Sequence, residues 1–344
     1  MQQYDTVIIG AGPSGLECAY DLAKAGQQVL VLDKNSDAIS NDSSIGHKTC
    51  AGGITEKVLD LIPENIYEIG FNNVYINVKG RKTKFFKKSP KITTIDRVKY
   101  SQYLIDKAKE AGAEIRTETR VSQIRESSVI TDGKEIAFRH LVGADGSLSI
   151  VRKYLGLKTE KKGMAFHYLV NKNFSDLEYF LDADLFSTGY AWIFPHDEFT
   201  SIGAYADIKD ISPQMLKKNF QKWLNKKDID VSGAQFYAAQ IPYDYKGHKF
   251  EKIYLAGDAA GFASGLTGEG IYAAIISGKD IAGLILDKGY RTDGIDDLLR
   301  TKKAQEYLLN IFRHSGPLKN IEYNIIVSLL KINSTKKVLA NILR

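Results

Sequence analysis

The stretch DTVIIGAGPSG, residues 5–15, decides the fold of this chain. It is typical of a buried strand that runs into a glycine-rich turn and then a helix, predicted over residues 14–25. Each glycine has its own reason: Gly10 makes the tight turn, Gly12 lets the backbone approach a pyrophosphate, and Gly15 lets the helix lie close to the strand. The helix then points its positive N-terminal end at the phosphates. The sequence therefore predicts a dinucleotide site.

The second half of this motif is an acidic residue at the end of the next strand. Residues 28–32 read QVLVL, and Asp33 follows them eighteen residues after the last glycine. A carboxylate in this place accepts the ribose hydroxyls, and its charge argues against a 2′-phosphate. Pro13 and Ser14 in the turn, and Lys34 beside the acid, complete the first group of predicted cofactor-binding residues.

Composition sets the bounds of the molecule. The chain has 344 residues, 44% of them hydrophobic and 26% charged, which is typical of one large or two ordinary globular domains. Its two cysteines, Cys18 and Cys50, are too few for a disulfide framework and indicate a reducing compartment. The first apolar run belongs to the nucleotide strand, and no stretch approaches the roughly 20 apolar residues that span a bilayer. We therefore expect a cytoplasmic protein, either free or peripheral to the inner face of the membrane.

The C-terminal segment is strongly basic. Residues 313–344 contain six lysines and arginines against one glutamate, with Ile321, Ile325, Leu329 and Ile332 at helical spacing. One interpretation is that this face lies on an anionic membrane. The favoured one is that it packs on its own domain and leaves its lysines in water. No nucleic-acid-binding motif accompanies the charge, and no residues have metal-ligand spacing, so neither a nucleic-acid partner nor a metal site is predicted.

A second motif, LAGDAAG at residues 255–261, lies late in the chain and is followed by Gly268, Glu269, Gly270 and Ile271. A strand that ends at Gly257 and Asp258 presents one carboxylate to a ribityl or ribose hydroxyl. The glycines that follow let a helix N-terminus approach a phosphate or an isoalloxazine carbonyl. This pattern predicts a second binding surface for the same cofactor.

A third string, VGADGSLSIVR at residues 142–152, identifies the kind of cofactor by resemblance. It resembles the middle fingerprint of FAD-dependent enzymes of the para-hydroxybenzoate hydroxylase fold, and all three fingerprints occur in the right order. The resemblance implies FAD, with the ADP part on the first motif and the ribityl and flavin part on the Gly-Asp motif. It also implies that Arg97 lies near the phosphates and the backbone of Val121 near the adenine. Within this string, the resemblance implies that Ala144, Asp145 and Gly146 are cofactor-binding residues.

Two further strings point to a branch of this superfamily. TCAGGI at residues 49–54 resembles the Cys-Gly-Gly-Gly loop of geranylgeranyl reductases, and GYAWIFP at residues 189–195 resembles their Tyr-x-Trp-x-Phe-Pro strand. Ala51 departs from the loop pattern, and Ser264-Gly265-Leu266 replaces the usual proline-containing approach to Gly-Glu-Gly. By this resemblance, Cys50, Ala51 and Gly52 are added to the cofactor-binding residues.

The aromatic string also makes a physical prediction. Tyr190, Trp192 and Phe194 alternate along one strand, so their rings fall on one face and form a broad apolar wall. The wall could hold a polyprenyl chain against the flavin; the alternative is that the rings are only the core of an inserted sheet. Cys50, Tyr190 and Trp192 are the predicted residues of the substrate pocket. No definite acid is assigned, because His47, a candidate proton donor, is also typical of a surface residue.

We expect an α/β protein with a Rossmann-type, glutathione-reductase-like FAD-binding domain, an inserted antiparallel substrate sheet and C-terminal helices. The predicted FAD-binding domain is discontinuous and comprises residues 1–70, 96–160 and 250–290. The substrate domain comprises residues 71–95 and 161–249, and the C-terminal helical region residues 291–344.

The function implied is an FAD-dependent reductase that saturates carbon–carbon double bonds of a geranylgeranyl or other polyprenyl group, on a prenyl lipid or a quinone side chain. Hydride comes from reduced flavin, and NAD(P)H or another reductant supplies the electrons. Two alternatives remain open: an FAD-dependent aromatic monooxygenase or halogenase, and a flavoprotein that carries electrons to a quinone.

Overall fold

The structure is a computed structural model that describes residues 2–36, 50–86, 92–172 and 174–331. His47 and Ile332 lie outside the described residues. The strands of the described residues are β1 (Gln2–Ile9), β2 (Val29–Leu32), β3 (Gly53–Thr55), β4 (Tyr67–Phe71), β5 (Asn73–Val78), β6 (Arg81–Phe86), β7 (Ile92–Ile95), β8 (Glu114–Arg116), β9 (Val121–Ile124), β10 (Ser128–Thr131), β11 (Lys134–Gly143), β12 (Lys162–Val170), β13 (Leu177–Leu181), β14 (Tyr190–Pro195), β15 (Thr200–Asp207), β16 (Gln235–Pro242), β17 (Lys249–Phe250) and β18 (Ile253–Leu255).

The helices of the described residues alternate with the strands and form the C-terminal part from α8 onward. They are α1 (Pro13–Lys24), α2 (Glu56–Leu59), α3 (Arg97–Glu110), α4 (Ile150–Tyr154), α5 (Ala183–Phe186), α6 (Pro213–Lys226), α7 (Gly257–Ala260), α8 (Ile271–Leu286), α9 (Asp293–His314) and α10 (Lys319–Leu329).

The nucleotide motif lies in an eight-stranded sheet of order β17-β18-β11-β1-β2-β8, in which β17, β10 and β9 are joined by antiparallel pairs and β10 is paired with β11. Strand β1 pairs in parallel with β2 and β11, and β11 pairs in parallel with β18. The inner residues of β1 and all four residues of β2 are buried, because helices cover the sheet, and this explains their continuous apolar sequence. The carboxyl ends of β1, β11 and β18 therefore meet at one edge, and each runs into one of the three motifs.

The second sheet has the order β16-β12-β15-β14-β13-β5-β6 and is antiparallel except where β13 pairs with β5. Helix α6 covers one face with Leu216, Phe220 and Trp223. The opposite face carries the aromatic residues of β14 and faces a cavity. The predicted fold class is confirmed. The predicted domain boundaries stay a prediction.

One predicted strand has a different extent. The sequence of residues 114–121 predicts a single strand, whereas β8 ends at Arg116 and β9 begins at Val121. Glu118 between them has a φ of 50°, in the left-handed region that a continuous strand does not use. The loop follows the edge of the nucleotide site instead.

The C-terminal helix α10 corrects a second expectation. Its buried residues are Tyr323 and Val327, which pack against Val78 and Phe312. Helix α10 therefore packs on its own domain as expected, but Ile321 and Ile325 are 56% and 51% exposed, so the packed face is not the one that their spacing indicates. The buried face of α10 is offset by two residues from the face of Ile321 and Ile325. It carries Tyr323 and Val327, which are neighbours at i, i+4.

Candidate functional site

The three glycines of the first turn differ in what a Cβ added at each would meet. Gly10 has a φ of 106°, and a Cβ there would overlap the carbonyl oxygen of Ala144. A Cβ on Gly15 would overlap the carbonyl oxygen of Gly10, so the start of α1 lies directly on the strand. A Cβ on Gly12 would have no described atom within 4 Å. Gly10 and Gly15 are required by the protein's own packing, whereas Gly12 keeps open the space in front of the helix.

The first and last motifs meet at Ser14. A Cβ built on Gly257 would lie 2.8 Å from the Ser14 hydroxyl oxygen, and one on Gly278 of α8 would overlap the Ser14 carbonyl oxygen. Helices α1 and α8 cross at this close contact. The packing places the glycine turn beside Asp258, although the two are far apart in sequence, and Pro13 and Asp258 line one cavity.

Asp33 and Val121 lie together at the other side of the turn. The Asp33 carboxylate accepts hydrogen bonds from the backbone N–H groups of Ala11, at 2.6 Å, and Asn35, at 2.8 Å. The loop before Val121 joins the same place, since the Thr119 N–H donates to the Asp33 carbonyl at 2.8 Å. Lys34 is exposed beside them. An acid in this place suits the ribose hydroxyls of an adenosine.

Arg97 supplies positive charge to the cavity. It begins α3 and lines the cavity, and its Nε and Nη1 atoms are buried with no hydrogen-bond partner among the described residues. A buried guanidinium with free donors favours an anion, because an unpaired buried charge is costly. These free donors and the open space at Gly12 fit the pyrophosphate of a dinucleotide.

The middle string, residues 142–152, mainly stabilises the start of α4. The Asp145 carboxylate accepts hydrogen bonds from the Ser149 hydroxyl and the Ile150 N–H, both at 2.6 Å, at the start of α4. Burial raises the pKa of Asp145, and these bonds oppose that shift. The residues of this loop that reach the cavity are Ser147 and Leu148.

A single cavity of about 1090 Å³ joins the cofactor motifs to the second sheet. Ligand pockets usually have 300 to 1,000 Å³, so this volume accommodates a flavin ring and an apolar substrate together. Ten of the predicted site residues line it: Pro13, Cys50, Ala51, Arg97, Tyr190, Trp192, Asp258, Gly268, Gly270 and Ile271. The other predicted residues lie outside the lining, in the turn, at the adenosine end or beneath the cavity wall: Gly10, Gly12, Ser14, Gly15, Asp33, Lys34, Gly52, Val121, Ala144, Asp145, Gly146 and Gly257.

The aromatic residues of β14 face this cavity as a continuous wall. The rings of Tyr190 and Trp192 are 6.1 Å apart, and those of Trp192 and Phe194 are 6.3 Å apart. Gly203 on the paired strand makes room, since a Cβ there would overlap the Trp192 indole. The indole Nε1 donates to the Ser201 hydroxyl at 3.1 Å, so its only polar atom is satisfied.

Two tyrosines join this wall to the loop that precedes α8. The Tyr190 hydroxyl donates to the Thr267 carbonyl at 2.5 Å, and the Tyr205 hydroxyl donates to the Gly265 carbonyl at 2.8 Å. Burial raises the pKa of both hydroxyls well above the usual value. They therefore stay neutral and act as fixed donors that hold the cofactor loop against the aromatic wall.

The Cys50 loop is held by a histidine that the sequence analysis did not single out. Each ring nitrogen of His196 contacts an oxygen atom. Nδ1 lies 2.5 Å from the Glu68 carboxylate, and Nε2 lies 3.0 Å from the Ala51 carbonyl oxygen. A Cβ on Gly52 would overlap the same ring. His196 follows Pro195 directly, so its place after the aromatic string is the signal that could have found it.

Two more residues of the cavity were missed. Glu269 lines it between the two glycines of the last motif, and its charge in an otherwise small and apolar string is the signal that marks it. His167 lines it beside Trp192, with their ring centroids 6.3 Å apart. Burial lowers the pKa of His167 to about 4, and its Nε2 atom has no partner among the described residues. No sequence motif surrounds His167.

The far end of the cavity is apolar and is closed by the C-terminal helices. Phe312 of α9 and Tyr323, Ile326 and Val327 of α10 line it there. Helix α9 is fixed to the second sheet because the Arg313 guanidinium pairs with two buried carboxylates, Asp207 and Asp210, each at 2.6 Å. No helix of the described residues is long and apolar enough to cross a membrane.

Comparison with known proteins identifies the cofactor. Residues 3–305 match the model of the FAD binding domain family. An uncharacterised protein of Methanosarcina barkeri is 31% identical over 369 aligned positions, which cover 96% of this chain and 89% of the relative. A digeranylgeranylglycerophospholipid reductase of Methanocaldococcus jannaschii is 28% identical, with 92% of this chain and 87% of the relative covered.

Solved structures share the fold. A geranylgeranyl bacteriochlorophyll reductase-like protein of Thermoplasma acidophilum superposes with a TM-score of 0.78 at 18% identity, covering 96% of this chain and 92% of the other. The flavin-dependent brominase Bmp2 superposes with a TM-score of 0.72 at 14% identity, covering 99% and 93%. At these identities the likeness concerns the fold, which serves more than one chemistry.

Proposed function

Because this chain belongs to the FAD binding domain family and is a geranylgeranyl reductase-like, FAD-dependent oxidoreductase, we propose that it saturates carbon–carbon double bonds of a geranylgeranyl or other polyprenyl group. The observation that carries the proposal is the single cavity that runs from Asp258 and Arg97, past the aromatic wall, to the apolar end at α10. A long apolar chain fits such a cavity better than a small polar aromatic compound does.

The residues present fit FAD and divide its parts among them. Asp33 and the backbone near Val121 would hold the adenosine, Gly12, Arg97 and the start of α1 the pyrophosphate, and Asp258 with the loop before α8 the ribityl and flavin part. Bound FAD in its reduced form supplies a hydride to an alkene carbon. Tyr190, Trp192 and Phe194 would orient the prenyl chain and exclude water, so that the reacting carbons stay in one position.

The direct test is the mass of the product. We expect purified protein to be yellow and, with dithionite as the electron source, to raise the mass of a geranylgeranyl lipid by about two daltons for each double bond reduced. Mass spectrometry of the extracted lipids makes the measurement, and heat-denatured protein is the control. NAD(P)H is proposed as a physiological donor and is tested by replacing dithionite with it.

The alternative functions give different products in the same assay. Oxygen consumption with NAD(P)H and a hydroxylated or halogenated aromatic product would select a monooxygenase or halogenase, whose fold this chain shares. Reduction of a quinone without any gain of mass in the prenyl chain would select an electron carrier. Either result overturns the proposed function.

We also propose that the outer face of α10 contacts an anionic membrane. Its inner face lines the cavity with Tyr323 and Val327, whereas Leu318, Ile321 and Ile325 are 56%, 56% and 51% exposed. Arg313 is paired with Asp207 and Asp210, but the sequence from residue 319 onward still has five lysines and arginines against one glutamate, which complements anionic lipid headgroups. A helix with one face in the bilayer surface and the other on the cavity would give a prenyl lipid a short path to the flavin.

Replacing both Ile321 and Ile325 by glutamate should reduce binding to vesicles that contain phosphatidylglycerol by about 100-fold, because apolar burial is lost and negative charge is added. Co-sedimentation with vesicles measures it, with phosphatidylcholine vesicles for comparison. The matched control is Met215→Glu, since Met215 is 46% exposed on α6. Equal binding by both variants, or self-association through this face in light scattering, would contradict a membrane role.

A further inference from the structure

We propose that Glu269 is the proton donor of the reduction, the catalytic acid that the sequence analysis left unassigned. The inference rests on the proposed function, because it names the group that supplies the second hydrogen to the alkene. An isolated double bond needs a hydride at one carbon and a proton at the other, and no carbonyl group is present to take up charge.

The loop between α7 and α8 fixes the position of Glu269. The Ser264 N–H donates to the Glu269 carbonyl at 2.9 Å, and the Gly268 N–H donates to the Ser264 carbonyl at 3.0 Å. The flanking Gly268 and Gly270 line the cavity together with Glu269. The carboxyl group is thus presented from a hydrogen-bonded loop to the space that the cofactor motifs and the aromatic wall share.

The surroundings of the carboxyl group favour its protonated form. Among the described residues, the Thr55 hydroxyl is the one donor to this side chain, at 3.5 Å, which is at the long limit for a hydrogen bond. Burial raises the pKa of Glu269, while the Lys57 charge and the Thr55 hydroxyl lower it by less. A carboxylic acid with a raised pKa is a better general acid near physiological pH than one with the ordinary value.

Glu269 also interacts electrostatically with the aromatic wall. Burial is the largest cause that raises the pKa of Tyr190. The charge of Glu269 is the second cause, and the Cys50 thiol is the third. Glu269 therefore shares one region of the cavity with the predicted substrate-pocket residues Tyr190 and Cys50.

The other groups that line the cavity are weaker candidates. Among the described residues, Asp258 and Glu269 are the carboxylic acids of the lining, and Asp258 belongs to the ribityl part of the cofactor site. Burial raises the pKa of the Tyr190 and Tyr205 hydroxyls, which donate to backbone carbonyls. His167 is neutral at physiological pH, since burial lowers its pKa to about 4, and a neutral imidazole is a very weak acid.

The step balances as follows. The O–H bond of Glu269 breaks and a C–H bond forms at the less substituted alkene carbon, using the π electron pair. The substituted carbon gains cationic character, which the faces of Tyr190 and Trp192 stabilise, and it accepts the hydride supplied by reduced flavin. The alkene is reduced by two electrons, the flavin is oxidised by two, and the Glu269 carboxylate recovers its proton from water.

The test compares Glu269→Gln with the wild-type holoenzyme. The flavin is reduced anaerobically with dithionite, mixed with a geranylgeranyl lipid in detergent, and its reoxidation is followed by absorbance. We expect reoxidation to be at least about 100-fold slower in the variant, since general acid catalysis contributes 10²- to 10⁴-fold. FAD content and the rate of reduction should be unchanged. The matched control is Glu160→Gln, a carboxylate paired with Lys246 at 2.8 Å on the surface.

Two measurements separate this role from a structural one. The wild-type rate should fall as the pH rises through the pKa of Glu269, because the protonated acid is lost, whereas the variant's rate should not change over that range. Infrared difference spectra of the oxidised holoenzyme should show a protonated carboxyl band that titrates above the ordinary glutamate range and is missing in Glu269→Gln.

Each outcome is decisive. Absence of the infrared band from the wild type, loss of FAD by the variant, or reoxidation at the wild-type rate would overturn the assignment of Glu269. Failure of every prenyl lipid to reoxidise the wild-type flavin would overturn the proposed function instead, and the infrared band would still report whether Glu269 holds a proton.

Discussion

Replacing Gly12 by alanine should weaken FAD binding by about 10- to 100-fold without changing the stability of the cofactor-free protein. Gly12 has ordinary backbone angles, with φ −80° and ψ 177°, and no described atom lies within 4 Å of an added Cβ. The methyl group is therefore accepted by the fold, yet it occupies the space in which a pyrophosphate approaches the start of α1. Overpacking of this kind typically costs 1–3 kcal/mol, which corresponds to the stated loss of affinity.

The measurement is a titration of the apoprotein with FAD, followed by flavin fluorescence, together with thermal unfolding of the apoprotein. Gly15→Ala is the contrasting variant, because its Cβ would overlap the Gly10 carbonyl oxygen and should lower the stability of the apoprotein as well. Wild-type affinity in Gly12→Ala would show that the pyrophosphate does not lie at this turn.

Replacing Trp192 by alanine should lower kcat/KM for a geranylgeranyl substrate by about 100-fold and leave the rate of flavin reduction unchanged. The indole is 4% exposed, forms the centre of the aromatic wall and lines the cavity. Its removal deletes the contact surface that positions the alkene, and misplacement of a reacting group by about 1 Å can cost about 100-fold in rate. The loss should be greater for long prenyl chains than for short ones, because a long chain contacts more of the wall.

The chain contains its own matched control in Trp223, which is 3% exposed and packs on the opposite face of the same sheet against Phe180 and Phe220. Trp223→Ala should lower the melting temperature to a similar extent but leave turnover per folded holoenzyme unchanged. Steady-state kinetics, normalised to bound flavin, measures the turnover of both variants. Equal losses of prenyl turnover and flavin reduction in Trp192→Ala, or equal kinetic losses in the two variants, would remove the argument for a substrate wall.

Local chemistry explains what could be predicted at the cofactor site. A turn that requires φ of 106° at Gly10 and direct backbone contact at Gly15 restricts the residues allowed there, so the motif is visible in the sequence. The helix that begins at Arg97 and the hairpin that turns at Asp132 and Gly133 were predictable for the same reason, since the Asp96 cap and the turn residues act within a few positions.

The residues that were missed act over long sequence distances. His196 holds the Ala51 carbonyl across 145 positions, and the Thr55 hydroxyl reaches Glu269 across 214. The pKa of Glu269 depends on burial by segments that meet only in the folded chain, and a sequence pattern does not encode that burial locally. The exposed face of α10 is a similar case, because spacing indicates that one face is apolar but not which face is covered.

The sequence by itself determined the nucleotide fold, the three cofactor motifs and the alternation that puts Tyr190, Trp192 and Phe194 on one face, because each depends on backbone geometry within a short segment. Only the tertiary structure decided that these parts share one cavity and that the Asp145 carboxylate accepts a hydrogen bond from the start of α4. It also decided that Glu269 has a raised pKa beside the aromatic wall. The physical reason is that burial, charge and cavity shape are produced by packing between distant segments, such as the contact of Ser14 with Gly257 and Gly278.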